Sequence, residues 1–232
     1  MSFQVRNSLA VAASEGVDAP ASLSKFGDLV TMPWIYKLAM AGRIYMGGYG
    51  LEETDTDGEG TLADITPTFA LAAPASGLLI IPLYVRLQLT TEGGAAPDAY
   101  LTYVSTGSDT GIVISGTSIT ALNCLGGSSR GSQANFIHTV TSAAFTDAQN
   151  KVLWQSKDMP DDLLSVVGID VDGGSVETPA NAVSAITIPI YPNIPIILNK
   201  GSSLNFHATT GTSDSKWRPT FVWAEVESTI LP

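Results

Sequence analysis

The clearest pattern along the chain is a series of short apolar or alternating segments separated by turn residues. From Leu83 to Leu89 every second residue is aliphatic, and Tyr84, Arg86 and Gln88 fall between them. A period of two residues is typical of a β-strand with one buried and one exposed face. The segments with strand character are Leu78–Leu89, Tyr100–Ser105, Gly111–Ile114, Ile119–Leu125, Asn135–Thr141, Lys151–Gln155, Leu164–Asp170, Val183–Ile190, Ile194–Asn199, Ser203–Ala208 and Thr220–Glu227.

Turn signals between these segments are frequent, and helical periodicity is almost absent. Clusters such as Glu92-Gly-Gly, Gly126-Gly-Ser-Ser and Asp172-Gly-Gly mark the turns. One short helix is predicted over residues 33–42, because Pro33 suits a helix start and Gly42 a helix end. Many strands without interleaved helices predict an all-β sandwich or barrel.

The chain divides into an arm and one domain. Residues 1–28 show no clear period, and we interpret them as an extended N-terminal arm that lies on a neighbouring subunit, with Phe3, Val5 and Leu9 at the interface. The alternatives are an arm that lies on the body of the domain and a disordered tail. Residues 29–232 are predicted to form one β-sandwich domain. The long uncharged run between Ile65 and Val85 contains three prolines, so a transmembrane segment is not expected.

The composition is poor in charge and acidic. Charged residues make up 14% of the chain, against about 25% in typical domains. Protein interfaces are depleted of charge at their centres, so this composition favours a protein that is covered by copies of itself. The net charge is −11 and the basic residues are scattered. Direct binding to nucleic acid is therefore not expected, since it depends on clustered basic residues that neutralise phosphates.

The last third of the chain carries a resemblance to a known class of proteins. Pro195-Ile-Ile-Leu-Asn-Lys-Gly-Ser-Ser-Leu-Asn-Phe-His-Ala is an apolar segment, a glycine corner and an alternating strand, and Trp217-Arg-Pro-Thr-Phe-Val-Trp-Ala-Glu-Val-Glu is a closing aromatic strand. This pattern resembles the final strands of single jelly-roll proteins, which include viral capsid and cement proteins. The resemblance implies a jelly-roll β-sandwich and a structural role in a virion. Without a basic arm, it implies a shell whose genome is packed by a motor, lies behind a membrane or is enclosed by another protein.

One acidic segment has carboxylates at a spacing that suits a cation site. Counting Glu53 as the first position, carboxylates fall at positions one, three and five with Asp55 and Asp57, a glycine at six and Asp64 at twelve. Hard cations such as Ca²⁺ prefer six to eight oxygen ligands, and a glycine permits the tight turn between them. The alternative is a solvated acidic loop. No other cofactor is predicted.

The remaining motifs are interpreted as structural features without a catalytic role. Ser129 lies in a G-x-S-x-G match, but its flanks predict a loop and a strand, whereas a nucleophile elbow requires a strand followed by a helix. His138 and His207 are expected to be half-buried or solvated strand residues without catalytic roles. Cys124 is expected to be a small buried hydrophobe. Trp217, between Lys216 and Arg218, is predicted to lie in a loop at a surface or interface.

These observations favour a self-assembling shell subunit of a virion rather than an enzyme. Its partners would be copies of itself and other virion proteins. The alternative is a carbohydrate-binding jelly-roll module, or a phage decoration or fibre protein, that uses the acidic loop and Trp217.

Overall fold

The computed structural model describes residues 33–50, 53–63, 65–75, 77–91, 97–107, 112–156, 184–188, 196–209 and 215–228. These residues form one α-helix, one turn of 3-10 helix and twelve β-strands. The elements are α1 (Trp34–Met40), β1 (Ile44–Gly48), β2 (Thr56–Asp57), β3 (Phe69–Ala72), β4 (Leu78–Thr91), β5 (Asp98–Ser105), β6 (Ile114–Ser118), β7 (Ala121–Asn123), β8 (Asn135–Ala143), the 3-10 turn (Asp147–Gln149), β9 (Asn150–Ser156), β10 (Ser184–Ile188), β11 (Ser202–Thr209) and β12 (Lys216–Glu227).

Helix α1 confirms the prediction of a short helix over residues 33–42. It begins directly after Pro33, whose ring cannot donate a backbone hydrogen bond, and it is followed by Gly42 with a φ of 64°. This left-handed conformation costs glycine little, so the chain can turn sharply from the helix into β1.

The strands form two antiparallel sheets that pack face to face. The first sheet has the order β10-β4-β12-β1-β7, and β2 pairs with the start of β12. The second sheet has the order β6-β8-β3-β11-β5-β9. The prediction of an all-β sandwich with one short helix is confirmed at this level.

The core lies between the sheets and is rich in aromatic rings. Trp217, Phe221 and Trp223 project into it from alternate positions of β12, as the two-residue period of a strand requires. Phe136 packs against both Phe221 and Trp223, with ring centroids 4.8 and 5.8 Å apart. Such pairs add to the stability that burial of their area provides.

A β-bulge in the first sheet changes the orientation of one predicted core residue. The register between β4 and β12 shifts between Val222 and Trp223. Beyond the shift Val85, Leu87 and Leu89 face the core as the alternation predicts, but Leu83 packs in the cluster beneath helix α1 on the outer face. The bulge inserts one residue into β4, and an extra residue reverses the face of those that precede it.

The outer face of the second sheet is buried at its central strand, β11, and is polar there. Ser203, Asn205 and His207 alternate with the core residues of β11, yet all three are buried. In β8, Thr139 has a φ of 49°, and the register between β8 and β6 is irregular beside it. After β8, Phe145 packs in a cluster with Val104 of β5, so this part of the chain helps to cover the outer face.

Most predicted strands are present, with three differences. The strand predicted at Gly111–Ile114 lies further along, at β6, and Ile119–Leu125 is reduced to the three residues of β7. Within Ile194–Asn199 the described residues form only a single bridge, from Leu198 to Ile80. The predicted strand Leu164–Asp170 and the arm of residues 1–28 lie outside the described residues. No helix in the described ranges is long and apolar enough to cross a membrane.

Candidate functional site

The acidic loop is tied to the last strand by ion pairs. A carboxylate oxygen of Asp55 lies 2.8 Å from Nε and 2.7 Å from a terminal nitrogen of Arg218. Asp57, in β2, lies 3.6 Å from Nζ of Lys216. Glu53 instead accepts a hydrogen bond from the backbone N–H of Gly50. Two of the predicted cation ligands therefore already have basic partners on β12.

Three of the four predicted calcium ligands, Glu53, Asp55 and Asp57, lie in the described part of the chain. Asp64 lies outside the described residues. Among the residues that are described, no three carboxylate, imidazole or thiol groups converge on one point that could hold a metal ion. The calcium site with Glu53, Asp55, Asp57 and Asp64 stays a prediction.

A polar cleft opens beside the same loop. Its volume is about 340 Å³, and it is lined by Tyr49, Glu53, Thr54, residues 117–120 and His138. The lining comes from the segment between β1 and β2, from the end of β6 and its connection to β7, and from β8. The cleft thus joins elements of both sheets.

A chain of hydrogen bonds runs behind the wall of this cleft. The Tyr49 hydroxyl bonds to the Thr56 hydroxyl, and Thr56 Oγ1 lies 3.1 Å from His138 Nδ1. The Thr139 hydroxyl lies 2.9 Å from the same nitrogen. Burial raises the pKa of Tyr49 and lowers the pKa of His138, because it disfavours the charged form of each group. Both side chains are consequently neutral near pH 7.

A second surface, on the first sheet, is apolar. Leu122, Met46, Val222 and Tyr84 lie opposite one another on β7, β1, β12 and β4, in register and on the outer face. We call these four residues the apolar row. Val222 is half-buried beside helix α1, and the other three are exposed. Three more large side chains on the helix are also exposed, namely Trp34, Tyr36 and Met40.

The predicted interface residues fall in other places. The placement of Trp217 in a surface loop is wrong, because it lies in β12 and is fully buried in the core. Its indole N–H donates to the Ser215 hydroxyl at 2.9 Å. Pairing with β4 on one side and β2 on the other draws this residue into the sheet. Phe3, Val5 and Leu9 lie outside the described residues.

The segment with Ser129 is a surface turn anchored by a buried carboxylate. Ser129 is exposed, and β8 rather than a helix follows it, so the strand-turn-helix geometry of a nucleophile elbow is not formed here. Glu225 in β12 is buried and accepts hydrogen bonds from the Ser132 hydroxyl at 2.5 Å, the Gln133 N–H at 3.0 Å and the Trp223 indole N–H at 3.2 Å. We call this arrangement the Glu225 clamp.

Two further expectations are corrected. Cys124 is exposed rather than buried, because the side chain of Asn123 bonds to the Leu125 N–H and the Gly42 carbonyl and ends β7 in a turn. His207 is fully buried rather than solvated, and its Nδ1 lies 3.6 Å from a carboxylate oxygen of Glu59.

Comparisons with protein-family models, with curated proteins and with solved structures found no match to this chain. The candidate surfaces are therefore defined by their geometry alone. For the cleft, the sequence indicated only Glu53, as part of the acidic loop, and the apolar row was not predicted. His138 and Tyr84 were noticed only as strand residues, and the signal that could have identified the apolar row is the presence of large apolar residues at the outward positions of neighbouring strands.

Proposed function

We propose that the sandwich is a jelly roll that serves as a self-assembling shell subunit of a virion. The strand pairing supports the jelly-roll topology. If β2 and the β6–β8 insertion are set aside, eight strands remain, and they pair first with last in nested order: β1 with β12, β3 with β11, β4 with β10 and β5 with β9. Nested pairing of this kind arises when one long antiparallel hairpin is wrapped into two sheets.

The observation that carries the assembly proposal is the apolar row. Its residues occupy four adjacent strands, and neighbouring strands lie about 4.8 Å apart, so the row extends roughly 15 Å across the sheet. Isolated exposed apolar residues are common on soluble proteins, but a contiguous set on one sheet face marks an interaction surface. With Trp34, Tyr36 and Met40 on the adjacent helix, this face is suited to burial against another protein surface.

The composition makes a second copy the best-supported partner. A chain with only 14% charged residues has extensive uncharged surface, and repeated copies of one apolar face can be buried by symmetry. The proposed location is the virion, and the proposed partners are this chain and other virion proteins. The net charge of −11 supports a shell that does not bind nucleic acid directly. We propose no catalytic activity.

The N-terminal arm is proposed to strengthen the same assembly. Residues 1–28 contain Phe3, Val5 and Leu9, which gain stability when they are buried against a neighbouring subunit. Deletion of residues 1–28 is expected to weaken assembly without unfolding the sandwich.

The test compares two equally exposed apolar residues on different surfaces. Leu122, in the apolar row, is 64% exposed, and Val113, just before β6 and outside the row, is 68% exposed. Sedimentation velocity over a dilution series is measured for the unaltered chain, for Leu122→Lys and for Val113→Lys. Because a buried leucine contributes about 1.5–3 kcal/mol, Leu122→Lys is expected to raise the concentration needed for assembly about tenfold or more, and Val113→Lys is expected to leave it unchanged.

Two outcomes count against the proposal in different ways. If all three proteins remain monomeric at every concentration, the shell function is wrong. If all three assemble equally well, assembly stands but does not use the apolar row.

A further inference from the structure

The polar cleft is lined by one imidazole and one carboxylate, which can serve a ligand as hydrogen-bond donor and acceptor. The hydroxyls of Thr56 and Thr139 lie 3.1 and 2.9 Å from His138 Nδ1, and each of them can donate to that nitrogen. A neutral imidazole whose Nδ1 accepts must carry its proton on Nε2. No described residue pairs with Nε2, so His138 can offer an N–H donor to a ligand in the cleft.

The acceptor is the carboxylate of Glu53. Its side chain is exposed at the rim, and the backbone N–H of Gly50 occupies only one of its oxygens. Besides Glu53 and His138, the lining contains four hydroxyl groups, those of Thr54, Thr117, Ser118 and Thr120. Ile119 and the ring of Tyr49 provide the apolar part of the lining.

The chemistry of this lining excludes several classes of ligand. An anion would meet the Glu53 carboxylate in a chain of net charge −11. A metal ion would find only one carboxylate and one imidazole in the lining, which is too few for a closed protein site. A wholly apolar molecule would leave the hydroxyls, the carboxylate and the imidazole N–H without partners.

We propose that this cleft binds a neutral saccharide unit. Each sugar hydroxyl can donate to Glu53 and accept from His138, and the C–H face of a pyranose ring matches the Tyr49 ring and Ile119. The volume of about 340 Å³ is at the lower end of the range for ligand sites, about 300–1,000 Å³, and suits one or two sugar rings. The proposal does not depend on shell assembly, because all the residues it uses belong to one copy of the chain.

Saturation-transfer NMR on the full chain tests the proposal. The probes are glucose, galactose, mannose, N-acetylglucosamine, lactose and maltose, with glycerol and N-acetylalanine methylamide as neutral hydrogen-bonding molecules that lack a sugar ring. Saturable transfer is expected for at least one sugar and for neither control. Glu53→Gln is expected to weaken sugar binding about tenfold, since a hydrogen bond to a charged acceptor contributes roughly 1.5–3 kcal/mol.

Two variants separate the cleft from the acidic loop. Asp57→Asn removes a carboxylate from the same loop but outside the cleft lining, and it is expected to leave sugar binding unchanged. Thr120→Arg places a long side chain at the exposed rim of the cleft and is expected to abolish binding. All three substitutions fall at exposed residues, so unchanged melting temperatures confirm that the fold is intact.

Three results would overturn the proposal. One is the absence of transfer to every neutral sugar, and another is equal sugar binding by Glu53→Gln and Asp57→Asn. The third is Glu53-dependent binding of the amide probe in preference to the sugars, which would assign the cleft to a peptide. None of these results affects the assembly measurements on Leu122→Lys.

Discussion

The Glu225 clamp gives a sharp test of the energetics of the sandwich. The perturbation is Glu225→Ala, which removes a buried carboxylate that accepts from Ser132, Gln133 and Trp223. After the substitution the Ser132 hydroxyl can rotate toward other partners, and the Ala134 N–H, which also bonds to Glu225 at 3.2 Å, keeps the Ser132 hydroxyl oxygen as a second acceptor. The Trp223 indole N–H is buried and has no other acceptor among the hydrogen bonds of the described residues. One buried donor therefore loses its partner, and the backbone N–H groups of Gln133 and Ala134 lose a charged acceptor.

The expected magnitude follows from these losses. An unsatisfied buried donor costs about 1–3 kcal/mol, so the indole N–H sets most of the effect. Gln133 lies at the surface, where water can replace the carboxylate, so the backbone N–H groups add only about 1 kcal/mol. We expect Glu225→Ala to reduce the free energy of unfolding by about 2–4 kcal/mol, a large share of the roughly 5–15 kcal/mol that keeps a domain folded.

Urea unfolding monitored by tryptophan fluorescence measures this effect, at one protein concentration throughout because assembly shifts apparent stability. The matched control is Glu227→Gln. Glu227 lies two residues along the same strand, but its carboxylate is exposed and pairs with Arg43 at 2.6 Å, so only a small change is expected. A loss below about 1 kcal/mol for Glu225→Ala, or equal losses for the two variants, would refute the reasoning from unsatisfied donors.

Three further predictions concern the core, the outer face of the second sheet and the cleft. A Cβ on Gly47 would overlap the Phe136 ring and touch Trp223, so Gly47→Ala is expected to destabilise the fold by about 1–3 kcal/mol in urea unfolding. The control is Gly126→Ala, which should change the free energy of unfolding little because there is open space around Gly126. Both polar atoms of the Asn205 side chain are buried and have no hydrogen-bond partner in the described structure, so Asn205→Leu is expected to raise Tm by a few degrees in calorimetry, and a fall in Tm would show that the amide is satisfied. Burial lowers the pKa of His138 from its ordinary value of 6.5, so the unfolded chain binds the proton more readily, and the stability that this group contributes is present above about pH 6.5 and lost as the pH falls. His138→Gln should therefore make the urea midpoint less dependent on pH between about pH 7 and pH 5, and an unchanged pH dependence would contradict this.

The sequence was sufficient to predict those elements in which the local residue pattern agrees with the tertiary packing. Strand β4 alternates apolar and polar residues because one face covers the core and the other is partly exposed. Strand β3 was missed because all four residues, Phe69–Ala72, are buried. With both faces covered there is no alternation to detect, and an apolar run of this kind does not reveal its structure.

Errors about single residues have a common physical origin. Trp217 follows Lys216 and precedes Arg218, a local context typical of a loop, but both basic side chains are held by carboxylates of the acidic loop, which lies far away in the sequence. Cys124 lies in an apolar run, but a side-chain bond of Asn123 ends the strand before it. In both cases the deciding partner is a specific hydrogen bond or ion pair that residue periodicity does not encode.

The two candidate surfaces could not be predicted for a related reason. The apolar row exists only because the register of four strands places Leu122, Met46, Val222 and Tyr84 side by side. The cleft likewise depends on the approach of Tyr49, Glu53 and His138 from different elements. The register of long-range strand pairs is a tertiary property, and a slip of one residue would have turned the row toward the core.

Electron microscopy of negatively stained, purified full-length protein tests the proposed shell function most directly. The protein is examined without added ligand or nucleic acid, over a concentration series and next to Leu122→Lys at the same concentrations. Closed particles of uniform size are expected for the unaltered chain, and the variant should form them only at higher concentration. A field of single 24.2 kDa molecules at every concentration would contradict the account.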